Sequence, residues 1–579
     1  MTKTLAKKLI DVCEKRARAD LAIRNCRVVD VFNKTTFPAT VSIVDGHFAS
    51  FSDEVEAETE IDAGGRYLIP GFIDAHCHIE SSHLSPAAYS DLIVPKGTTT
   101  VVADPHEICN VAGLDAMRYM LKASEDIPLT VNLMFPSCVP ATDSEHAGAV
   151  LLADSIEAMI DNPRVLGLGE MMNYPGIAAA LPFVLDKLDV AYSRDKIIDG
   201  HAPDVAGRDL DAYSACQIRT DHECATAQEL VERVRRGMYV ALRQGTACKN
   251  VLGLLPGVSQ DNMSRVMFCT DDCQPESIID DGHIQYAVNL AISAGMRAEC
   301  AIAAATVNPA TCYSFKDRGA IAPGLRADCF LSESIGSICA DEVFIQGKMV
   351  AKGGKTLAPA HHVKPEGVSG KVNIGDFSSG KLALRLTSDK ARVIGIIPGS
   401  VVTENLVMNV RRDAEGCFVR SADQDILKIA SVERHRGLGT VGVGLIKGYG
   451  MKSGAVATSI SHDSHNIICV GTDDGDMETA IRELARTGGG VTIVQNGKVL
   501  MTHRLEIAGL MTDDDAMSVY STLKEMHEIA YEKLGVSRDI DPFMTLSFMA
   551  LPVIPALKIT DSGLFDVESF SFTGINPES

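Results

Sequence analysis

The stretch "LIPGFIDAHCHIESSH", Leu68 to His83, reads as a short buried strand that stops at two histidines, with an acid two residues further on. Side chains alternate along a strand, so His76 and His78 point the same way and both imidazoles can reach one point. From about residue 70 to 320 the same pattern repeats, with short apolar runs alternating with helical stretches. The runs are "LIPGFIDAH", "TTTVVADPH", "LTVNLMF", "VLGLGE", "KIIDGH", "CQIRTDHE", "YVALRQG" and "RVMFCTDD". Strand–helix alternation implies a parallel sheet, and eight units in about 250 residues fit a (β/α)8 TIM barrel, an α/β fold.

In such a barrel the active site forms at the C-terminal ends of the strands. The first run ends in His76 and His78, the fourth in Glu170, the fifth in His201, the sixth in His222 and the eighth in Asp271; the second adds Asp104, His106 and Glu107. Four histidines and two carboxylates at one mouth have the composition of a metal site. Six ligands are too many for one catalytic zinc, which takes three protein ligands and keeps a position open. Two metals sharing Glu170 and a hydroxide use them all, at the roughly 3.5–4 Å spacing of two-metal sites. Mixed imidazole and carboxylate without thiolate suits Mn²⁺, Fe²⁺ or Zn²⁺.

The flanks read differently. Residues 1–69 hold a charged N-terminal helix and β-rich sequence with an Asp45-Gly46 hairpin turn; residues 321–360 are again β-rich, with a Gln346-Gly347 turn. The two predict one small β domain built from both sides of the barrel, 70–320. Residues 361–380 read as a linker rich in Gly, Pro and Lys. Residues 381–579 predict an α+β domain, with a hairpin at Asn496-Gly497 and a helix from an N-cap at Thr512 to a stop at Gly535.

Composition narrows the function. Hydrophobic residues make up 46% of the 579 and charged residues 22%, an ordinary globular balance. A net charge of −22 argues against nucleic acid or an anionic membrane as partner and is compatible with a small neutral substrate. No apolar run is long enough to suggest a membrane span, and the N-terminus lacks the apolar core of a signal peptide, so a cytoplasmic location is expected. Sixteen cysteines are scattered with no C-x-x-C spacing and predict reduced, buried thiols.

"LIPGFIDAHCH" resembles the opening signature of the amidohydrolase superfamily, and "RGAIAPGLRADCFL", Arg318 to Leu331, resembles the point where such chains re-enter their small β domain. "HIESSHLSP", "TTTVVADPHEICNVAG", "GLGEMMNYPG", "DGHAP", "RTDHE" and "FCTDDCQPE" resemble the set found in the adenine deaminases. "ATSISHDSHNIICVG", from Ala457, resembles part of their dedicated C-terminal domain. The resemblance implies that His76, His78 and Asp271 hold one metal, that His201 and His222 hold the other, and that Glu170 bridges them. Many relatives bridge with a carboxylated lysine; the glutamate follows the adenine deaminase pattern. It further implies manganese, adenine as substrate and a homodimer. A metal-bridging hydroxide would attack C6, with Asp271 moving its proton to the departing amine. Ring N1 must also be protonated, by Glu107 or by Asp204, with Glu107 slightly favoured. His83 departs from the pattern, which has an apolar residue there.

Other signals carry less. His78-Ile79-Glu80 matches half of the zinc nucleobase deaminase signature, but the P-C-x-x-C partner is missing, which excludes that fold. Glu80 reads as a group ordering a ligand loop. His106 and Glu80, with His462 and His465 of "SHDSHN", are candidates for the substrate pocket; the last two are also candidates for a third metal. The glycine-rich "GLGTVGVGLIKGYG" fits no phosphate-loop pattern and reads as strands and turns. An amidohydrolase opening a cyclic amide would share the metal site, since both reactions add hydroxide to an sp² carbon. A non-catalytic scaffold would have lost ligands, whereas all six positions are filled.

Overall fold

The computed structural model describes residues 1–421 and 423–577. Eight parallel strands form a barrel from two arcs. Phe72–Cys77, Thr98–Ala103, Thr130–Phe135, Val165–Met171 and Ile197–Gly200 pair in chain order, as do Thr220–Asp221, Tyr239–Arg243 and Val266–Cys269. Two single parallel bridges, Ile198 with Ile218 and Cys77 with Asp271, close the ring. Most of these strands are buried along their whole length, because helices cover the outside and side chains fill the inside, so they read as continuous apolar runs. The sixth strand is only two residues of the predicted "CQIRTDHE", yet Arg219 N still donates to Ile198 O at 2.8 Å, so pairing continues irregularly.

The small β sheet draws on both flanks. Cys329–Ser332 lies antiparallel beside Tyr67–Pro70, joining the N-terminal strands to Glu342–Ile345 and Lys348–Lys352. The three predicted hairpin turns have positive φ at both central residues: 46° and 72° at Asp45-Gly46, 49° and 71° at Gln346-Gly347, 53° and 69° at Asn496-Gly497. That is the type I′ geometry whose twist matches the strands.

The C-terminal region is an eight-stranded mixed sheet with a buried face on each side. Alternation sorts its strands: Val456, Ile468 and Val470 pack with Met526 and Ala530, while Ala455, Ala457 and Cys469 pack with Met477, Ile481 and Leu484 of the helix Asp474–Thr487. The helix predicted from Thr512 begins at Ala516. Its cap is Asp515, whose Oδ1 accepts from the amides of Met517 and Ser518, both at 3.0 Å, and whose charge suits the helix N-terminus. Thr512 instead donates its amide to His83 O at 2.8 Å.

That contact belongs to a broad seam between the C-terminal region and the rim of the barrel at the C-terminal ends of its strands. The barrel loop after Phe135 is tied down where His146 Nδ1 lies 2.7 Å from Asp561 Oδ2, Asn466 Nδ2 donates to His146 O at 2.9 Å, and Thr560 Oγ1 donates to Ser144 O at 3.1 Å. His83, the departure from the family pattern, sits in the same seam and stacks on His503 with ring centroids 5.5 Å apart. Burial, then the neighbouring His503, pushes it down to about 3, so it packs as a neutral ring. Among the described residues, no helix is long and apolar enough to cross a membrane.

Candidate metal centre and substrate cavity

The ends of the barrel strands converge on one buried point. His76 Nε2 lies 3.2 Å from His78 Nε2, and His78 Nε2 lies 3.1 Å from Asp271 Oδ1. Glu170 stands between two histidine pairs. Its Oε2 is 3.6 Å from His76 Nε2, 3.2 Å from His201 Nδ1 and 3.1 Å from His222 Nε2; its Oε1 is 3.7 Å from His78 Nε2. His78 Nδ1 is 2.8 Å from the carbonyl of Asp104, to which an Nδ1–H donates, leaving the Nε2 lone pair aimed inward. Several imidazole lone pairs and two carboxylates facing one another in a dry site repel unless positive charge lies among them. Imidazole and carboxylate donors sharing one acid therefore fit a pair of divalent cations.

Local chain geometry delivers these groups. Asp74 fixes the first strand end: its Oδ1 accepts from the amides of His76 and Thr270, at 3.3 and 3.1 Å, and its Oδ2 from Thr270 Oγ1 at 2.6 Å. Asp271 lies beyond its strand with φ 57°, its amide donating to His76 O at 3.0 Å. Strand alternation has ended there, so Asp271 turns to the metal cluster while Asp272 accepts from Ser81 Oγ. Asp104 Oδ2 accepts from the amide of Glu170 at 2.8 Å, and His106 Nδ1 is 3.3 Å from Glu170 Oε1.

Above the cluster is a cavity of about 410 Å³, in the range that holds a small ligand. The barrel supplies its polar floor. The C-terminal region supplies an apolar wall of Val401, Phe548, Leu551, Val553 and Ile554, together with His462 and Asp463. Phe548 stacks on His462 at 4.4 Å and 17°, and His462 Nδ1 is 3.4 Å from Glu107 Oε1. Burial pushes His462 down to about 4. Burial, with Asp272 and Glu80 nearby, holds the Glu107 carboxyl well above the usual carboxylate range.

The four pocket candidates divide. His106 and His462 line the cavity, whereas Glu80 and His465 lie behind it. Glu80 Oε1 accepts from the amide of Ile108 at 3.2 Å, holding the turn that carries Ser81. His465 is fully buried, and its Nδ1 accepts from the amide of Ser461 at 3.3 Å. Its Nε2 has no hydrogen-bond partner among the described residues, and with Glu107 and His462 the ring forms a buried group close enough to hold an ion. Of the two acids weighed for ring protonation, Glu107 is buried in the cavity and Asp204 is an exposed residue at its rim.

Several groups escaped the sequence reading. Arg243 closes the seventh strand and is almost wholly buried; its Nη1 donates to Asp271 Oδ2 at 2.7 Å and its Nη2 to Glu223 Oε2 at 2.9 Å. An arginine ending a strand at a rim where other strands end in acids was the available signal. Glu223 follows a ligand candidate directly and brings Oε1 to 3.5 Å from His222 Nε2. Ser81, Asp463 and Phe548 had no such marker.

Two family models match the chain, the amidohydrolase family over residues 67–350 and the adenine deaminase C-terminal domain over residues 400–571. An adenine deaminase from Nitratidesulfovibrio vulgaris strain DP4 is 49% identical over 567 residues, covering 98% of each chain. Adenine deaminase 2 from Desulfotalea psychrophila is 46% identical over 99% of this chain and 100% of its own. An adenine deaminase from Ligilactobacillus salivarius is 43% identical over 98% of both.

Proposed function

The chain belongs to the adenine deaminase family of the amidohydrolase superfamily, and on that premise we propose that it hydrolyses adenine to hypoxanthine and ammonia. The observation that carries the chemistry is Glu170 standing between two histidine pairs at the floor of a cavity with room for a purine. On this reading His76, His78 and Asp271 would hold one divalent ion, His201 and His222 would hold a second, and Glu170 would be shared between them. The resemblance favours manganese. Such ions supply the positive charge that makes water a nucleophile near neutral pH.

The remaining work falls to the chain's own groups. The apolar wall, Phe548 foremost, holds the purine ring and keeps bulk water out. Asp271, with Oδ2 pinned by Arg243, presents its other oxygen to the site. It takes a proton from the attacking water and delivers it to the amine leaving C6. Glu107, kept neutral by burial, gives its proton to ring N1 as C6 becomes tetrahedral, and recovers one from the remaining hydroxyl as the C6–N bond breaks and the carbonyl of hypoxanthine forms. Such a neutral acid is what a group that must donate to a ring nitrogen requires. We extend the reading to a homodimer in cytoplasmic purine salvage or catabolism, on the family resemblance alone; sedimentation velocity tests the oligomer.

The test is ammonia release from adenine by full-length protein reconstituted with two equivalents of Mn²⁺, beside metal-free protein and D271N. Ammonia from the loaded wild type, absent from both controls, is the expected result. Metal binding without ammonia from adenine would overturn the substrate while leaving the ligand set standing, and cyclic amides would then be tried.

A further inference from the structure

Adenine presents two kinds of N–H. The C6 amine is consumed by the reaction. The other is the single ring N–H of the five-membered ring, on N7 or N9 according to tautomer. A cavity that recognises the free base needs an acceptor for it, and the acceptor should be free of protein partners.

The cavity carboxylates can be taken in turn, apart from Asp204, which is exposed to water at the rim. Glu170 faces His201 and His222. Asp271 and Glu223 are held by Arg243. Asp272 accepts from Ser81, and Glu107 Oε1 lies 3.2 Å from the same hydroxyl. Asp463 is different. It lines the cavity at 4% exposure; its Oδ2 is shut away from the cavity, and its Oδ1, facing the cavity residues His106 and His462, is 4.0 Å from His106 Nε2 and 3.9 Å from His462 Nδ1, beyond hydrogen-bond distance, with no hydrogen-bond partner among the described residues. A buried acceptor left unmade costs free energy, so an oxygen of this kind marks a place where a ligand completes the bonding.

The loop that carries Asp463 is held firmly. The amide of His462 donates to Ser547 O at 3.0 Å and that of His465 to Ser461 O at 2.7 Å. The fully buried Arg434 donates through Nε to His465 O and through Nη2 to Ala508 O, the latter at 3.0 Å. Asn466 ties the loop to the barrel through His146 O. The carboxyl is thus pre-positioned at the cavity wall.

We propose that Asp463 is a specificity-determining residue, accepting the ring N–H of adenine through its unpaired Oδ1 and so selecting the free base over N-substituted purines, nucleosides included. A carboxyl keeps an acceptor oxygen in either protonation state, so the assignment does not depend on its charge. A substituent on N7 or N9 removes the only ring proton and leaves the acceptor unpaired again. This rests on adenine being the substrate.

The experiment compares manganese-loaded wild type, D463N and D463A on adenine, 7-methyladenine and 9-methyladenine, the methylated bases being measured as competitive inhibitors where they do not turn over. Thermal unfolding and metal content confirm that each variant is folded and loaded. The wild type should prefer adenine over both analogues. In D463A the kcat/KM for adenine should fall about 10–100-fold, mostly through KM, the methylated bases should change little, and the preference should collapse; D463N should fall between. A preference unchanged in both variants, or an equal loss on all three bases, overturns the assignment. Ammonia-free wild type would instead overturn the substrate, and this proposal with it.

Discussion

Arg243 holds Asp271 by one oxygen: Nη1 is 2.7 Å from Oδ2, while Oδ1 stands 3.1 Å from His78 Nε2. The same guanidinium grips Glu223. One buried cation therefore orients two acids beside the metal cluster, and its planar fork matches the task in a way that a lysine cannot. R243M strands both carboxylates in a buried site. It should cost about 3–5 kcal/mol of stability, read from denaturant midpoints, and R243K should recover part of that stability but little of kcat.

Chelation should lower both activity and thermal stability. The cluster places imidazole lone pairs and carboxylates against one another, so ions that bind only the folded chain stabilise it, by about 2.7 kcal/mol for one site at a hundredfold excess over Kd. Scanning calorimetry before and after EDTA, then with Mn²⁺ restored, should show Tm fall and recover. An unchanged Tm would argue against the ligand set.

The two acids weighed for ring protonation separate by substitution. E107Q should lower kcat about 10²–10⁴-fold with metal content intact, as expected for loss of a general acid. D204N should stay within a few-fold of wild type, because Asp204 is exposed at the rim. The reverse ranking would move the role to Asp204.

The pH dependence of stability should carry a signature from His527. Its ring lies 3.0 Å from Asp541 and 3.4 Å from Glu276, and these acids outweigh burial and lift it to about 10. The unfolded chain releases that proton near 6.5, so the stabilisation is complete below about 6.5 and lost as pH rises towards 10. Urea midpoints of the wild type should therefore drop across pH 7–10 more steeply than those of H527Q.

The barrel and the convergence of most of its candidate ligands were legible because short apolar strands ended in side chains of one chemical kind. His76 and His78 follow from alternation alone. Asp271 does not, since it lies past its strand in a left-handed conformation, and its choice over Asp272 came from the family pattern. The roof was not legible. His462 was noticed for its imidazole, but nothing in the sequence shows that Asp463 and Phe548 meet barrel residues hundreds of positions earlier. Glu80 and His465 stand outside the cavity lining, and each makes one hydrogen bond to backbone, through Glu80 Oε1 and His465 Nδ1.

The small β sheet also bears on how the protein is made. One edge of Tyr67–Pro70 is filled early by Ala19–Asp30, but the other edge is filled by Cys329–Ser332, on the far side of the entire barrel. On the ribosome, at about 5–20 residues per second, that strand must wait many seconds with an unpaired apolar edge while every barrel strand emerges. An open edge is a template for joining another chain. Slow translation or heat shock should thus expose this nascent chain to aggregation through its first domain, before any catalytic residue is in place.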